Sequence, residues 1–302
     1  MMIRRLKDDL VKNKAIYIML LPVVAYYIIF KYAPMSGAVI AFKDFSPGKG
    51  IWHSPWVGLD NFKDFFESYY FWRIIRNTLL ISFYDLVFGF PAPIILALLI
   101  NEVRLATFKR FVQTVSYLPH FISTVVICGF IVEFTSTGGI INSIISFFGG
   151  TRSALLGDAG NFRTIYVSSQ IWQEIGWSSI IYLAALSGIN PELYEAAKID
   201  GAGRWKQTLN VTLPGITSII VILLILKTGS LLDVGFEKII LLYSPMTYET
   251  ADVISSFVYR MGIGANDYSF TTAVGLFQSI INFVLLFSAN SLSRRLSGNK
   301  IW

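Results

Sequence analysis

The sequence predicts an all-α membrane protein with six transmembrane helices. Three observations predict it. First, charged residues make up only 15% of the 302 residues, where soluble domains carry roughly 25%. Apolar residues reach 54%, and the mean hydropathy is +0.58. Second, the chain contains runs without Asp, Glu, Lys or Arg that are long enough to cross a bilayer, which takes about 20 helical residues. Third, Lys and Arg gather in short clusters between those runs, where they set orientation.

The same composition excludes other classes. The apolar fraction is too high for a disordered chain. One cysteine, Cys128, excludes a disulfide scaffold and a Cys-rich metal site, and only His53 and His120 remain as imidazoles. The formal net charge of +6 is spread along the chain, which argues against a nucleic-acid-binding domain.

The elements follow in order. Residues 1–14 form a basic tail with Arg4, Arg5, Lys7, Lys12 and Lys14. The first span covers about 15–35. Its length, and Lys31–Tyr32 without a small-residue cleavage site, read as an uncleaved span rather than a signal peptide. The second, about 76–100, is broken only by Asp85. The third, about 111–134, contains the charge-free run Phe111 to Val132. Residues 135–151 are also uncharged but carry Gly138, Gly139, Gly149 and Gly150. They read as a short amphipathic or re-entrant segment. The fourth span, about 163–188, rests on a run interrupted only by Glu174. The fifth covers about 215–235 and the sixth about 271–293. Runs of this length exceed strands, and a backbone in lipid must bond to itself, so each is helical.

Basic residues fix the orientation. Arg104, Lys109 and Arg110, then Lys198, Arg204 and Lys206, then Arg294, Arg295 and Lys300, fall on the same side as the N-terminal tail. The opposite loops are longer and poorer in Lys and Arg. The positive-inside rule therefore places both termini in the cytoplasm.

The cytoplasmic loop at 190–214 reads as a helix-turn-helix. Asn190 is a good N-cap and Pro191 suits the first helical position. Glu192 and Glu195 lie in the first turns, where negative charge is favoured. Leu193, Ala196, Ala197 and Asp200 share a face at helical spacing. Gly201 and Gly203 break the helix. A second short helix is expected from Arg204 to Asn210, ended by Pro214.

Within this loop, Glu195-Ala196-Ala197, three residues, Gly201, nine residues, Val211, one residue and Leu213-Pro214 follow a fixed spacing. It resembles the EAA loop of bacterial ABC importer permeases, with Val211 in place of isoleucine as the one departure. The resemblance extends along nearly the whole chain. Gly58-Leu59-Asp60-Asn61-Phe62, Asn77-Thr78-Leu79, Tyr117-Leu118-Pro119, Ile199-Asp200-Gly201-Ala202, Thr250 to Ile254, Tyr259-Arg260 and Asp267-Tyr268-Ser269 are similar to carbohydrate-type permeases. The maltose-permease-like superfamily, and its oligosaccharide and polysaccharide-fragment branch, is the nearest match.

This resemblance implies a type I ABC importer fold, with residues 15–302 as the permease domain. It implies a bacterial plasma-membrane location and a non-catalytic role. The partners it implies are a second permease, a different chain in most of the branch, two ATPase domains and an external solute-binding protein that delivers an oligosaccharide. No cofactor is expected on this chain, and ATP and Mg belong to the ATPase. The chain has no G-x-x-x-x-G-K-[ST] phosphate loop. Glu195, Ala196, Ala197, Asp200, Gly201, Ala202 and Arg204 are the implied ATPase-coupling residues.

The substrate path has two candidate faces. Gln170, Gln173, Glu174 and Trp177 share a helical face by their spacing. Amides, a carboxylate and an aromatic ring suit sugar hydroxyls and sugar rings. Gln278 and Asn282 form a similar pair on the sixth span. Both sets serve equally well as hydrogen-bonding glue between spans. Glu133 and Asp233 are expected near span ends in reach of water, Asp85 and Lys227 are candidates to pair, and Cys128 reads as a small core residue. His120, after Pro119, reads as a hydrogen bonder at a helix break.

Other functions are weaker. Charges within spans suit an ion-coupled secondary transporter, which has no use for the EAA loop. A permease for a non-sugar solute shares that loop but not the external motifs. An intramembrane enzyme needs a metal cluster or a nucleophile with its base, and two distant histidines supply neither.

Overall fold

The computed structural model describes residues 12–297. Among them the fold is helical, and the one extended pairing is an isolated bridge between Lys43 and Trp56. Among the described residues five helical stretches are long and apolar enough to cross a membrane: Lys14–Phe42, Phe71–Glu102, Thr124–Phe147, Arg204–Gly229 and Tyr268–Arg295. They differ in informative ways from the six expected spans.

The chain divides into two compact units. One comprises the described residues up to Ser68 together with Met261–Leu276, and the other comprises Tyr69–Arg260 with the residues from Phe277 on.

In the first unit, α1 (Lys14–Phe42) runs well past the expected end at 35. Pro22 lies inside it and a π-turn covers Ile28–Tyr32. Its apolar side chains are bare: Ile18, Met19 and Phe30 are all exposed. Such a stripe needs lipid or a partner. Helix α2 (Asp60–Glu67) follows. The Asn61 amide donates to the carbonyls of Ala41 and Lys43 at 2.9 and 3.1 Å, fastening α2 to the end of α1. Gly58 has φ +66, a conformation that L side chains resist. These contacts give Gly58-Leu59-Asp60-Asn61-Phe62 a local structural role.

The second unit begins with α3 (Phe71–Glu102), which covers the expected second span. A π-turn at Asp85–Gly89 lies in its middle, followed by Pro91. The expected third span is not one helix. It is α4 (Ala106–Tyr117), a 3-10 turn at Leu118–Phe121 and α5 (Thr124–Thr135). Pro119 lacks an amide donor, Ile122 turns extended, and the Ser123 hydroxyl caps α5 by accepting from the Val126 amide. The expected amphipathic segment is α6 (Ile140–Phe147), with Asn142 buried and Ile140, Ile144 and Phe147 exposed.

Helix α7 (Ala159–Ser187) occupies the expected fourth span. At 29 residues it is long enough, yet it is not apolar enough to be among those five. The reason is its polar side chains, Arg163, Gln170, Gln173 and Glu174 among them. It crosses α4 at Gly176, where an added Cβ would lie 1.9 Å from the Ser116 carbonyl oxygen. Only glycine permits that approach.

Helix α8 (Pro191–Ile199) leads into α9 (Arg204–Gly229). Here Pro214 does not end a helix. A π-turn at Thr208–Thr212 widens the backbone ahead of it, and the helix runs on to Gly229. The fifth span therefore stops at Gly229 instead of 235. Short helices α10 (Phe236–Leu242) and α11 (Ile254–Tyr259) precede α12 (Tyr268–Ser297), which contains the expected sixth span.

Among the described residues, two apolar clusters pack the second unit. Ile81, Ile127, Phe162, Tyr166, Ile239 and Val253 form one, with Cys128 buried in it as expected. Ile94, Ala97, Tyr182, Leu186 and Ile216 form the other, where α3, α7 and α9 meet.

Candidate functional site

The loop between α7 and α9 is built by local chemistry. The Asn190 side chain accepts from the Glu192 amide at 3.0 Å, and Pro191 opens α8. The helix ends in a Schellman motif. The Gly201 amide donates to the Lys198 carbonyl and the Ala202 amide to the Ala197 carbonyl. Gly201 takes φ +74. Asp200 is the C-cap, so it sits at the helix end and not on the face of Leu193, Ala196 and Ala197.

Three contacts brace this loop. The Tyr194 hydroxyl lies 3.1 Å from the Thr212 hydroxyl. The Gln207 amide donates to the Ala202 carbonyl at 2.7 Å. Arg204 lies 3.8 Å from Glu102 at the end of α3. The outer surface has no cover: Ile199 is 87% exposed and Trp205 74%. Glu195 and Ala196 are exposed, and Ala197 and Ala202 are half-exposed. The loop is therefore a braced projection whose apolar tip is bare.

The second site is a cavity of about 610 Å³ among α3, α7 and α9. Asp85, Gln170, Glu174, Trp177, Lys227 and Ser230 give it a polar and aromatic lining. Volume and lining suit a small ligand. His120 stacks on Trp177 with centroids 4.5 Å apart and planes at 2°. Its Nδ1 lies 3.1 Å from the Glu174 carboxylate. The break at Pro119 thus aims His120 across to α7, in the hydrogen-bonding role expected of it. Asp85 and Lys227 form an ion pair.

Not every expected path residue reaches the cavity. Gln170, Glu174 and Trp177 do. Gln173 is buried to one side, where the Lys238 ammonium donates to Gln170 at 3.3 Å and to Gln173 at 3.5 Å. A rotation of part of a helical turn separates it from its neighbours. Gln278 and Asn282 are also elsewhere. Gln278 donates to the Leu232 carbonyl and the Asp233 carboxylate, and Asn282 accepts from the Leu232 amide. They clamp the segment after α9, which is the interhelical role. Asp233 and Glu133 are exposed, as expected.

Sequence reasoning missed two features. Lys238 is buried beside Cys128, Tyr166 and the two glutamines, and burial lowers its ammonium to about 8. A lone lysine within Phe236–Leu242 was the available signal. The other is the junction at Asp252, whose carboxylate is fully buried. It accepts from Arg73 at 3.0 Å, from Arg260 at 2.7 and 3.1 Å and from Ser256 at 2.9 Å. Asn77 donates to the backbone carbonyls of Glu249 and Asp252 and accepts from Arg163.

Comparison with known proteins gives consistent relatives. Residues 89–298 match the family model described as binding-protein-dependent transport system inner membrane component. The chain is 48% identical to Protein LplB of Bacillus subtilis (strain 168) over 285 residues, 94% of this chain and 90% of that protein. It is 45% identical to the polygalacturonan/rhamnogalacturonan transport system permease protein YteP of the same organism over 300 residues, 99% of this chain and 94% of that protein. Among solved structures, it is similar to a chain of a bacterial ABC transporter involved in the import of the acidic polysaccharide alginate. That match has a TM-score of 0.90 and 46% identity, and covers 97% of this chain and 99% of the other. A chain of the alginate transporter in complex with alginate pentasaccharide-bound periplasmic protein matches with a TM-score of 0.91 and 45% identity, covering 98% and 100%.

Proposed function

This chain belongs to the family of binding-protein-dependent transport system inner membrane components, and we propose that it is the permease subunit of an ATP-driven oligosaccharide importer. It contributes no catalysis of its own. A second permease pairs with it, an external binding protein hands over the sugar, and two cytoplasmic ATPase domains supply ATP and Mg chemistry. Six spans, with α7 as the fourth and both termini in the cytoplasm, complete the arrangement. Two of the polar side chains that make α7 less apolar, Gln170 and Glu174, line the cavity we read as the solute path, and polar groups inside a bundle face its interior.

The observation that carries this reading is the bare tip of the loop. Ile199 and Trp205 project from a two-helix loop that Arg204, Tyr194 and Gln207 brace from behind. A braced apolar projection suits insertion into a cleft on an ATPase. The small side chains of Ala196, Ala197 and Ala202 permit close approach, and Glu195 supplies a polar contact. Closure of the ATPases on ATP would then favour one arrangement of the spans over the other, as differential binding requires.

The test is Ile199→Asp, which alters an 87% exposed side chain. The chain is expected to insert and fold normally. Its co-purification with the ATPase is expected to fall at least tenfold, about 1.4 kcal/mol of association, and sugar uptake with it. Gly201→Asp should act in the same direction, by adding charge and straining a left-handed position. Retained ATPase binding in Ile199→Asp would refute the docking role.

The cavity gives a second expectation. Trp177→Ala removes an aromatic face and should weaken sugar uptake roughly two- to tenfold, the range of an aromatic contact. Gln173→Ala should act through Lys238 and change uptake less. Initial uptake rates in vesicles compare the two, and a larger loss for Gln173→Ala would place the sugar elsewhere.

A further inference from the structure

The cavity beside Trp177 has a smaller neighbour of about 170 Å³, which reaches Tyr166, Asp233 and Gly235. Four residues line both: Asp85, Gln170, Lys227 and Ser230. They form a septum between the two spaces, and the Asp85–Lys227 ion pair crosses it from α3 to α9.

The backbone is shaped to present this pair. Asp85 opens the π-turn at Asp85–Gly89, a deformation that costs regular helix bonding and recurs at functional sites. Gly89 makes room for the carboxylate, since a Cβ there would lie 2.3 Å from Asp85 Oδ1. Both side chains remain partly open, 22% for Asp85 and 41% for Lys227. An ion pair between spans is weak evidence of stabilisation, because apolar residues of similar volume hold helices as well. Ionised groups inside a membrane domain instead mark solute paths.

We infer that Asp85 and Lys227 are specificity-determining residues of the solute path, a charge-balanced septum through which each sugar unit passes. This rests on the importer reading above. A sugar diol both donates and accepts, so it can bridge the carboxylate and the ammonium without displacing either. The balance then governs which charge on the sugar is tolerated. Loss of Asp85 leaves a cation that favours a uronate. Loss of Lys227 leaves an anion that repels it.

The experiment uses the intact importer in proteoliposomes, with its ATPase, second permease and binding protein. The probes are trigalacturonate and its neutral methyl ester, which share one skeleton. The readout is the ratio of their ATP-driven uptake rates, a quantity that expression and folding losses do not move. Discrimination by the binding protein is common to all variants and cancels. Asp85→Asn is expected to shift the ratio at least threefold toward the uronate, and Lys227→Gln at least threefold toward the ester. Ratios within twofold of wild type in both variants overturn the inference. Should either variant fail to assemble, Ser230→Asp and Ser230→Lys leave the pair intact and carry the same test. Opposite shifts support the septum, and an unmoved ratio overturns it. A wild-type complex that drives ATP-dependent uptake of no oligosaccharide fails the importer reading itself, whereas uptake of the probes with an unmoved ratio fails only this inference.

Discussion

Asp252→Ala is expected to lower the stability of the permease by about 3–5 kcal/mol, the usual cost of removing one partner from a buried ion pair. Asp252 has no exposed surface, while Arg73 and Arg260 retain 26% and 29%. Without the carboxylate, two guanidinium groups lose the acidic partner they share. Ser256 also loses one of its two acceptors, keeping the Val253 carbonyl. The consequence reaches further than three residues, because Asn77 and Thr78 of α3 bind the same segment through its backbone. The first turns of α3 and the stretch 249–254 should loosen together. Thermal unfolding of the detergent-purified protein measures the loss. Asp252→Asn keeps the volume but not the charge, and should show most of the same effect. A variant melting with wild type would show that the two arginines find other partners at no cost.

Gly176→Val is expected to have a comparable effect by overpacking, which costs typically 1–3 kcal/mol and occasionally more. The obstacle is backbone, not a flexible side chain: the new Cβ meets the Ser116 carbonyl at 1.9 and 2.3 Å and the Tyr117 amide nitrogen at 2.8 Å. Helices α4 and α7 must separate. The neighbouring His120–Trp177 stack joins the 3-10 turn that follows α4 to α7, so sugar uptake should fall along with stability. Gly176→Ala should show a smaller loss in the same direction. An alanine variant with unchanged melting and uptake would show that the crossing has slack.

What was legible in the sequence was mostly local. The cap at Asn190, the opening Pro191 and the left-handed turn at Gly201 depend on residues within one helix, and each is where the pattern placed it. Proline was ambiguous. Pro119 breaks its span and Pro214 does not, because the outcome depends on whether the preceding turn can widen. At Thr208–Thr212 it opens into a π-turn, whereas at Leu118–Phe121 the chain tightens into a 3-10 turn. Spacing alone does not carry that difference.

Long-range pairing was less legible still. Asp85 and Lys227 were visible as charges in apolar runs, but their meeting depends on how α3 and α9 rotate. The rotation of α7 in turn takes Gln173 to Lys238 while leaving Gln170 and Glu174 on the cavity. Gln278 and Asn282 have the chemistry of sugar-binding residues, and the fold directs it to the Leu232–Asp233 backbone. Residue type gave the capability, and only tertiary geometry gave the use.

The continuity of α9 has a mechanical consequence. Arg204–Gly229 is helical from the exposed loop to the edge of the cavity, with no break at Pro214. Arg204 and Lys227 stand on one rod, separated by about 35 Å at 1.5 Å per residue. A tilt of about 10° at the loop sweeps the far end through about 6 Å, more than an ion pair survives. The widened turn at Thr208–Thr212 lies at the loop end of that rod, and the regular helix from Leu213 onward carries any such displacement to Lys227.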